Sequence, residues 1–230
     1  MNLLGRVFRK IIPKPISYPL TCFKILEVDY GHFLTTLNGS CIDKNGDPIP
    51  WYTYPSIEYL NQFDFSEKSV FEYGSGNSSL FWAKRAGKVI SVEGDKSWYE
   101  KVSKMNSFEN LSFIFAEDKV SYISSIDGFT GFDIIVIDGY HRKECADYAI
   151  KKLNPGGFII LDNSNRYPEI AEFIRSKINP IQVDMKGFTP INFYTSTTSL
   201  FLSRDFNMLA YNDRQPTPSI GYWKEKEFEI

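Results

Sequence analysis

From residue 69 onward the chain alternates short apolar runs with stretches of helical period, and this alternation constrains the fold more than any other feature. The pattern predicts strands near 69–73, 88–93, 111–115, 132–137 and 157–162. Helices are predicted at 78–86, 96–105, near 118–126, and at 142–152 and 168–177. Strands separated by helices have to run parallel. Runs as continuous as "FDIIVI" and "GFIIL" are expected where helices cover both faces of a sheet. "TSLFLSR" follows a Thr- and Pro-rich loop and reads as a last strand, hairpin-paired and hence antiparallel. The expected fold class is therefore α/β, a mostly parallel sheet with helices on both faces and a C-terminal antiparallel strand.

The 230 residues suit one decorated domain better than two. Residues 69–205 form its expected core. Residues 1–68 read as an N-terminal extension, and 206–230 as a tail or flap. Within the extension, "FKILEV" and "HFLTTL" look β-like, "DKNGDPIP" marks a loop, and Ser56 is placed to cap a helix in "WYTYPSIEYLNQF". In "MNLLGRVFRKIIPKP", Leu3, Leu4, Val7, Phe8, Ile11 and Ile12 recur at helical spacing opposite Arg6, Arg9 and Lys10. That start suits packing against the protein's own domain or a twin subunit, or contact with a membrane surface, through residues 1–15.

A net charge of −2 gives no general attraction to a phosphate backbone, so nucleic acid is not an expected partner. Three cysteines (Cys22, Cys41, Cys145) without metal-ligand spacing suggest neither a disulfide framework nor a zinc site, and fit a reducing cytoplasm. No apolar stretch reaches the length of a membrane span.

The segment most charged with chemistry is "VFEYGSGNSSLFWAKRAGKVISVEGD", residues 70–95. Gly74 and Gly76 lie between a strand and a helix, where bare backbone N–H groups can approach a ligand. The third glycine of the dinucleotide fingerprint is replaced by Ser79. Glu72 is placed to hold a ligand ammonium, and Glu93, at the end of the second strand, to accept from a ribose diol. A ligand with an amino-acid end and a ribose end would use both.

"VFEYGSGNSS", "SVEGD", "AED", "IDGYHR" and "LNPGGFIILDNS", in that order, resemble the motifs of class I S-adenosylmethionine-dependent methyltransferases. The resemblance implies a Rossmann-like fold and S-adenosylmethionine as cofactor. It puts Glu72, Gly74, Ser75 and Gly76 around the methionine end, with Asn77 and Ser78 capping the helix. It also puts Glu93 on the ribose, Glu117 and Asp118 near the adenine, and Asp138 beside the sulfonium and the acceptor. His141, three residues after Asp138, and Asp162 are the further candidates for catalysis.

Asp138 with Asp162-Asn163 also resembles the divalent-metal set of catechol-type O-methyltransferases. The flanking residues differ, and a metal-free site is preferred, with Asn163 or Ser164 capping the next helix. Trp51 and Tyr54 are candidate acceptor contacts. The expected activity is methyl transfer to a small-molecule or glycan-linked acceptor on oxygen. A nicotinamide-dependent oxidoreductase and a non-catalytic cofactor-binding partner protein, membrane-associated or oligomeric, are the alternatives.

Overall fold

The computed structural model describes residues 12–222. The amphipathic start thus lies largely outside the described residues. Its expected neighbourhood opens with helix α1 (Lys14–Lys24), which runs on as a π turn (Ile25–Asp29), then α2 (His32–Asn38) and α3 (Tyr54–Leu60). The β-like reading of "FKILEV" and "HFLTTL" is therefore corrected: both are helical. Aromatic and β-branched content is a weak prior on strand. Here Leu26 and Tyr30 pack on the core at helical spacing, while Gly31 (φ 80°) and Gly39 (φ 57°) punctuate α2 at both ends. Ser56 is not the cap of α3 either. Thr53 holds that position because Pro55 presets the first turn, and the Ser56 hydroxyl donates back to the Thr53 carbonyl (2.7 Å).

The core follows the predicted alternation: β1 (Ser69–Tyr73), α4 (Asn77–Ala83), β2 (Lys88–Glu93), α5 (Lys96–Met105), β3 (Leu111–Phe115), α6 (Lys119–Ser124), β4 (Phe132–Ile137), α7 (Arg142–Lys152), β5 (Leu153–Leu161) and α8 (Pro168–Ile178). A strand the sequence reading missed, β6 (Ile181–Phe188), then leads into β7 (Thr195–Leu202). The seven strands lie in the order β3-β2-β1-β4-β5-β7-β6, with β7 antiparallel to both neighbours. The hairpin expected for the last strand is the β6–β7 pair.

Alternating residues serve the two layers. Val70, Ile134, Val136, Phe158 and Ile160 meet Leu60 and Trp82 on one face. Phe71, Ile135, Ile137, Ile159 and Leu161 meet Cys145, Ala149 and Ile174 on the other. In register, Tyr73 stands beside Val92 and Ile137, and Ile137 beside Leu161, so the first five strands end along one edge. The tail returns over α3: Phe206 packs edge-on against Phe63 (5.5 Å), Tyr211 N donates to Gln62 O (2.7 Å), and Ile220 N to Glu58 Oε2 (2.8 Å).

Ile135 is fully buried at the sheet centre and Val120 is 75% exposed on α6. Truncating Ile135 to Ala is expected to cost about 2–5 kcal/mol in urea unfolding, whereas Val120→Ala stays within about 0.5 kcal/mol. Equal effects would contradict this placement of the core.

Candidate functional site

At the strand-end edge the chain must turn from β1 into α4 without leaving room for side chains. Gly74 takes φ 93° and backs onto Gly139 after β4: a Cβ on Gly74 would lie 2.8 Å from the Gly139 Cα, and one on Gly139 would lie 2.0 Å from the Tyr122 hydroxyl. Only glycine at both positions lets the two loops touch. Gly76 then caps α4, and its N–H donates to Ser79 Oγ (3.1 Å). Asn77 and Ser78 are therefore not the cap. The Asn77 amide instead donates to Ser40 Oγ (3.0 Å) and the Cys41 carbonyl (2.6 Å), fastening the N-terminal extension to the turn.

Glu93 joins the first two loops. Its Oε2 accepts from the Ser75 N–H (3.2 Å) and hydroxyl (3.0 Å), and its Oε1 from the N–H groups of Gly94 (2.8 Å) and Asp95 (2.9 Å). The Trp98 indole N–H, unremarked in the sequence reading, donates to the Ser75 carbonyl (2.7 Å). Beneath the turn lies Glu72, fully buried. Its Oε2 accepts from the hydroxyls of Ser79 and Ser91, while Oε1 has no partner. Burial pushes its carboxyl up to about 7, against the pull of the serine hydroxyls.

Along the same edge, Asp138 and Asp162 end β4 and β5 around one cation. Arg142 pairs with Asp138 Oδ1 (2.9 Å) and donates to the carbonyls of Asp138 (3.0 Å), Gly139 (3.1 Å) and Asp162 (2.5 Å). Arg142 closes the quoted "IDGYHR" but was not singled out. Its spacing four residues after Asp138, at a helix start, is the signal that could have found it. Burial raises the Asp138 carboxyl to about 6, opposed by Arg142. The Asp162 carboxyl is raised well above its ordinary range by burial and then by the Asp138 charge. Asp162 Oδ1 accepts from the Thr198 hydroxyl (2.6 Å), whose oxygen accepts from Thr53 N (3.0 Å). Asn163 does not cap a helix with its side chain, since its amide reaches Ser196 Oγ (3.2 Å). Ser164 is likewise no cap of α8, which opens at Pro168; its hydroxyl pairs with that of Ser199 (2.6 Å). Among the described residues no three His, Cys, Asp or Glu side chains converge as a metal set would.

A cavity of about 250 Å³ opens between these loops, lined by Gly94, Asp95, Ala116, Glu117, Tyr122, Tyr140 and His141. His141, at φ 51°, precedes α7 and, like Glu117, lies on the cavity wall. Asp118, next to Glu117, caps α6 by accepting from Ser121 N (3.0 Å), and the Ser121 hydroxyl, together with that N–H, holds its carboxyl below the usual range. Of the aromatic pair, Trp51 is 47% exposed. Tyr54 is buried against Tyr30 (ring centroids 4.7 Å apart), with its hydroxyl 3.2 Å from His32 Nδ1. The structure thus brings Glu72, Gly74, Ser75, Gly76, Glu93, Asp138 and Asp162 to one edge and sets Tyr54 inside the extension.

No family model matches the sequence, and no curated protein matches it. Solved structures do. An rRNA methylase from Streptococcus thermophilus is 17% identical with a TM-score of 0.50, over 65% of this chain and 94% of that one. A precorrin-6y C5,15-methyltransferase from Geobacter metallireducens is 12% identical with a TM-score of 0.50, over 64% of this chain and 85% of that one. At such identities the likeness is one of architecture, and it agrees with the sheet order and the glycine turn already described. The chain has the Rossmann-like fold of the class I S-adenosylmethionine-dependent methyltransferases.

Proposed function

We propose that the chain is an S-adenosylmethionine-dependent methyltransferase whose acceptor is a small molecule or a glycan-linked group, methylated on oxygen. The observation that carries the reading is the cavity at the ends of β2 and β3, beside a glycine turn tied to Glu93. Open α/β sheets bind ligands at this edge. The residues fit the cofactor: Gly94 lies on the cavity wall where a Cβ would come within 3.2 Å of the Tyr140 ring, and Glu72 keeps a buried, unpartnered oxygen below the turn. When bound, the cofactor supplies a methyl group already activated on a sulfonium.

The chain's own residues then have three tasks. Glu93 takes ribose hydroxyls. Its four acceptor positions are filled by three backbone N–H groups and the Ser75 hydroxyl, so the rotatable Ser75 hydroxyl is the donor that yields. Glu117 and Asp118 face the adenine side. Asp138, with His141 and Asp162 near it, receives the proton lost by an acceptor hydroxyl, and its raised carboxyl suits it better to that task than an ordinary aspartate. Trp51 offers an exposed ring to a flat or sugar-like acceptor.

An RNA acceptor is not favoured, because the cavity rim carries Asp95 and Glu117 and the chain has a net charge of −2. A nicotinamide cofactor is disfavoured by the sheet: the dinucleotide order 3-2-1-4-5-6 is interrupted here by antiparallel β7 between β5 and β6.

Calorimetric titration with S-adenosylhomocysteine is expected to give micromolar binding. Glu93→Ala should abolish it without loss of the thermal transition, and NAD should not bind. Binding of NAD, or of neither ligand, would sink the cofactor reading.

Methyl transfer should rise with pH as Asp138 loses its proton, half-complete near pH 6. Arg142 lowers that carboxyl, so Arg142→Gln should move the acidic limb to higher pH in a variant checked by thermal melt to be folded. An unmoved limb would remove Asp138 from the proton-accepting role.

A further inference from the structure

Helix α1 is an anomaly for a soluble surface. Ser17 is its only buried side chain, and the partly buried Thr21, one turn on, lies on the same face. About a third of a turn round the helix, Ile16, Leu20 and Phe23, spaced i, i+4, i+7, form one outward stripe, exposed by 55%, 49% and 64%. Val28 in the π turn, and Phe33 and Leu37 on α2, are exposed as well. Monomeric proteins rarely present so many large apolar side chains from consecutive elements without a partner.

Charge points to what covers the stripe. Residues 1–24 carry five of the chain's 26 basic residues (Arg6, Arg9, Lys10, Lys14, Lys24) and none of its 28 acidic ones, so the remaining residues have a net charge of −7. On the helical wheel Lys24 falls next to the Ile16–Leu20–Phe23 stripe and Lys14 beyond Ser17 and Thr21, and neither lysine makes an ion pair among the described residues. An exposed apolar stripe in a basic, acid-free segment on an acidic body matches an anionic lipid surface. The side chains enter the headgroup boundary, the lysines meet lipid phosphates and carboxylates, and repulsion of the body orients the protein. A second copy in a two-fold contact would set the same cations against each other.

We propose that α1, with the basic residues preceding it, docks the protein peripherally on an anionic membrane surface. This rests on the exposed helix and not on the enzymatic reading.

The test is flotation of the full chain with phosphatidylcholine vesicles, with and without phosphatidylserine. Binding is expected only to the anionic vesicles and should fall with added salt. Leu20→Glu/Phe23→Glu should abolish it, and Lys14→Glu/Lys24→Glu should weaken it by about tenfold or more, both without changing the thermal transition, since all four side chains are exposed. No binding to anionic vesicles, or binding that survives Leu20→Glu/Phe23→Glu, would overturn the proposal. So would a dimer seen by light scattering that this variant dissolves while the parent ignores vesicles, which would assign the stripe to a second copy.

Discussion

Two aspartates end adjacent strands where water is scarce, and what lets both remain there is the guanidinium of Arg142. It pairs with Asp138 and takes the carbonyls of Asp138, Gly139 and Asp162. An ammonium could not span four acceptors on one planar fork. By fixing those carbonyls, the arginine also sets the path of the loop in which Gly139 meets Gly74. The glycine turn, the acidic strand ends and the start of α7 thus form one mechanical unit. Removing its cation would leave buried charge uncompensated, far costlier than losing an exposed pair.

A second network ties the N-terminal extension to the same unit. Asn77 holds the Cys41 carbonyl, and Thr53 reaches Asp162 through Thr198. The extension is therefore fastened to the loops that carry the site. Cys41 shows the effect electrostatically: burial, and then the charges of Asp138 and Asp162, push its thiol up to about 12, so it behaves there as a small buried apolar group and not as a nucleophile.

What could be read from the sequence divides along physical lines. Strands β1 to β4 and helix α7 were legible because buried parallel strands must be continuously apolar and the intervening helices carry their own period. Glu93 stood out for the same reason, since a strand end fixes where its side chain emerges. Strand β6 was not legible: it is an edge strand whose Asp184 and Lys186 meet solvent, so its alternation is diluted by the charges that protect an edge. The helix at Tyr54–Leu60 was legible, but "FKILEV" and "HFLTTL" were misread because Phe23, Val28, Phe33 and Leu37 face outward, which blurs any amphipathic pattern. Trp98 was missed because its partner is a backbone carbonyl, which leaves no trace in side-chain spacing, whereas Arg142 did leave one in its i, i+4 spacing from Asp138.

The saturation of Glu93 bears on timing as well as on affinity. Its carboxylate is fully subscribed before any ligand arrives, with one subscriber, the Ser75 hydroxyl, a single bond rotation away from leaving. On the proposed reading, a ribose hydroxyl that enters replaces one donor with another, and a departing one is replaced in turn, so neither step exposes a naked charge in a half-buried turn. Such an exchange lowers the barrier in both directions while leaving the equilibrium nearly untouched. It would give the site short residence times, as a catalyst that must discard a spent cofactor resembling the fresh one requires.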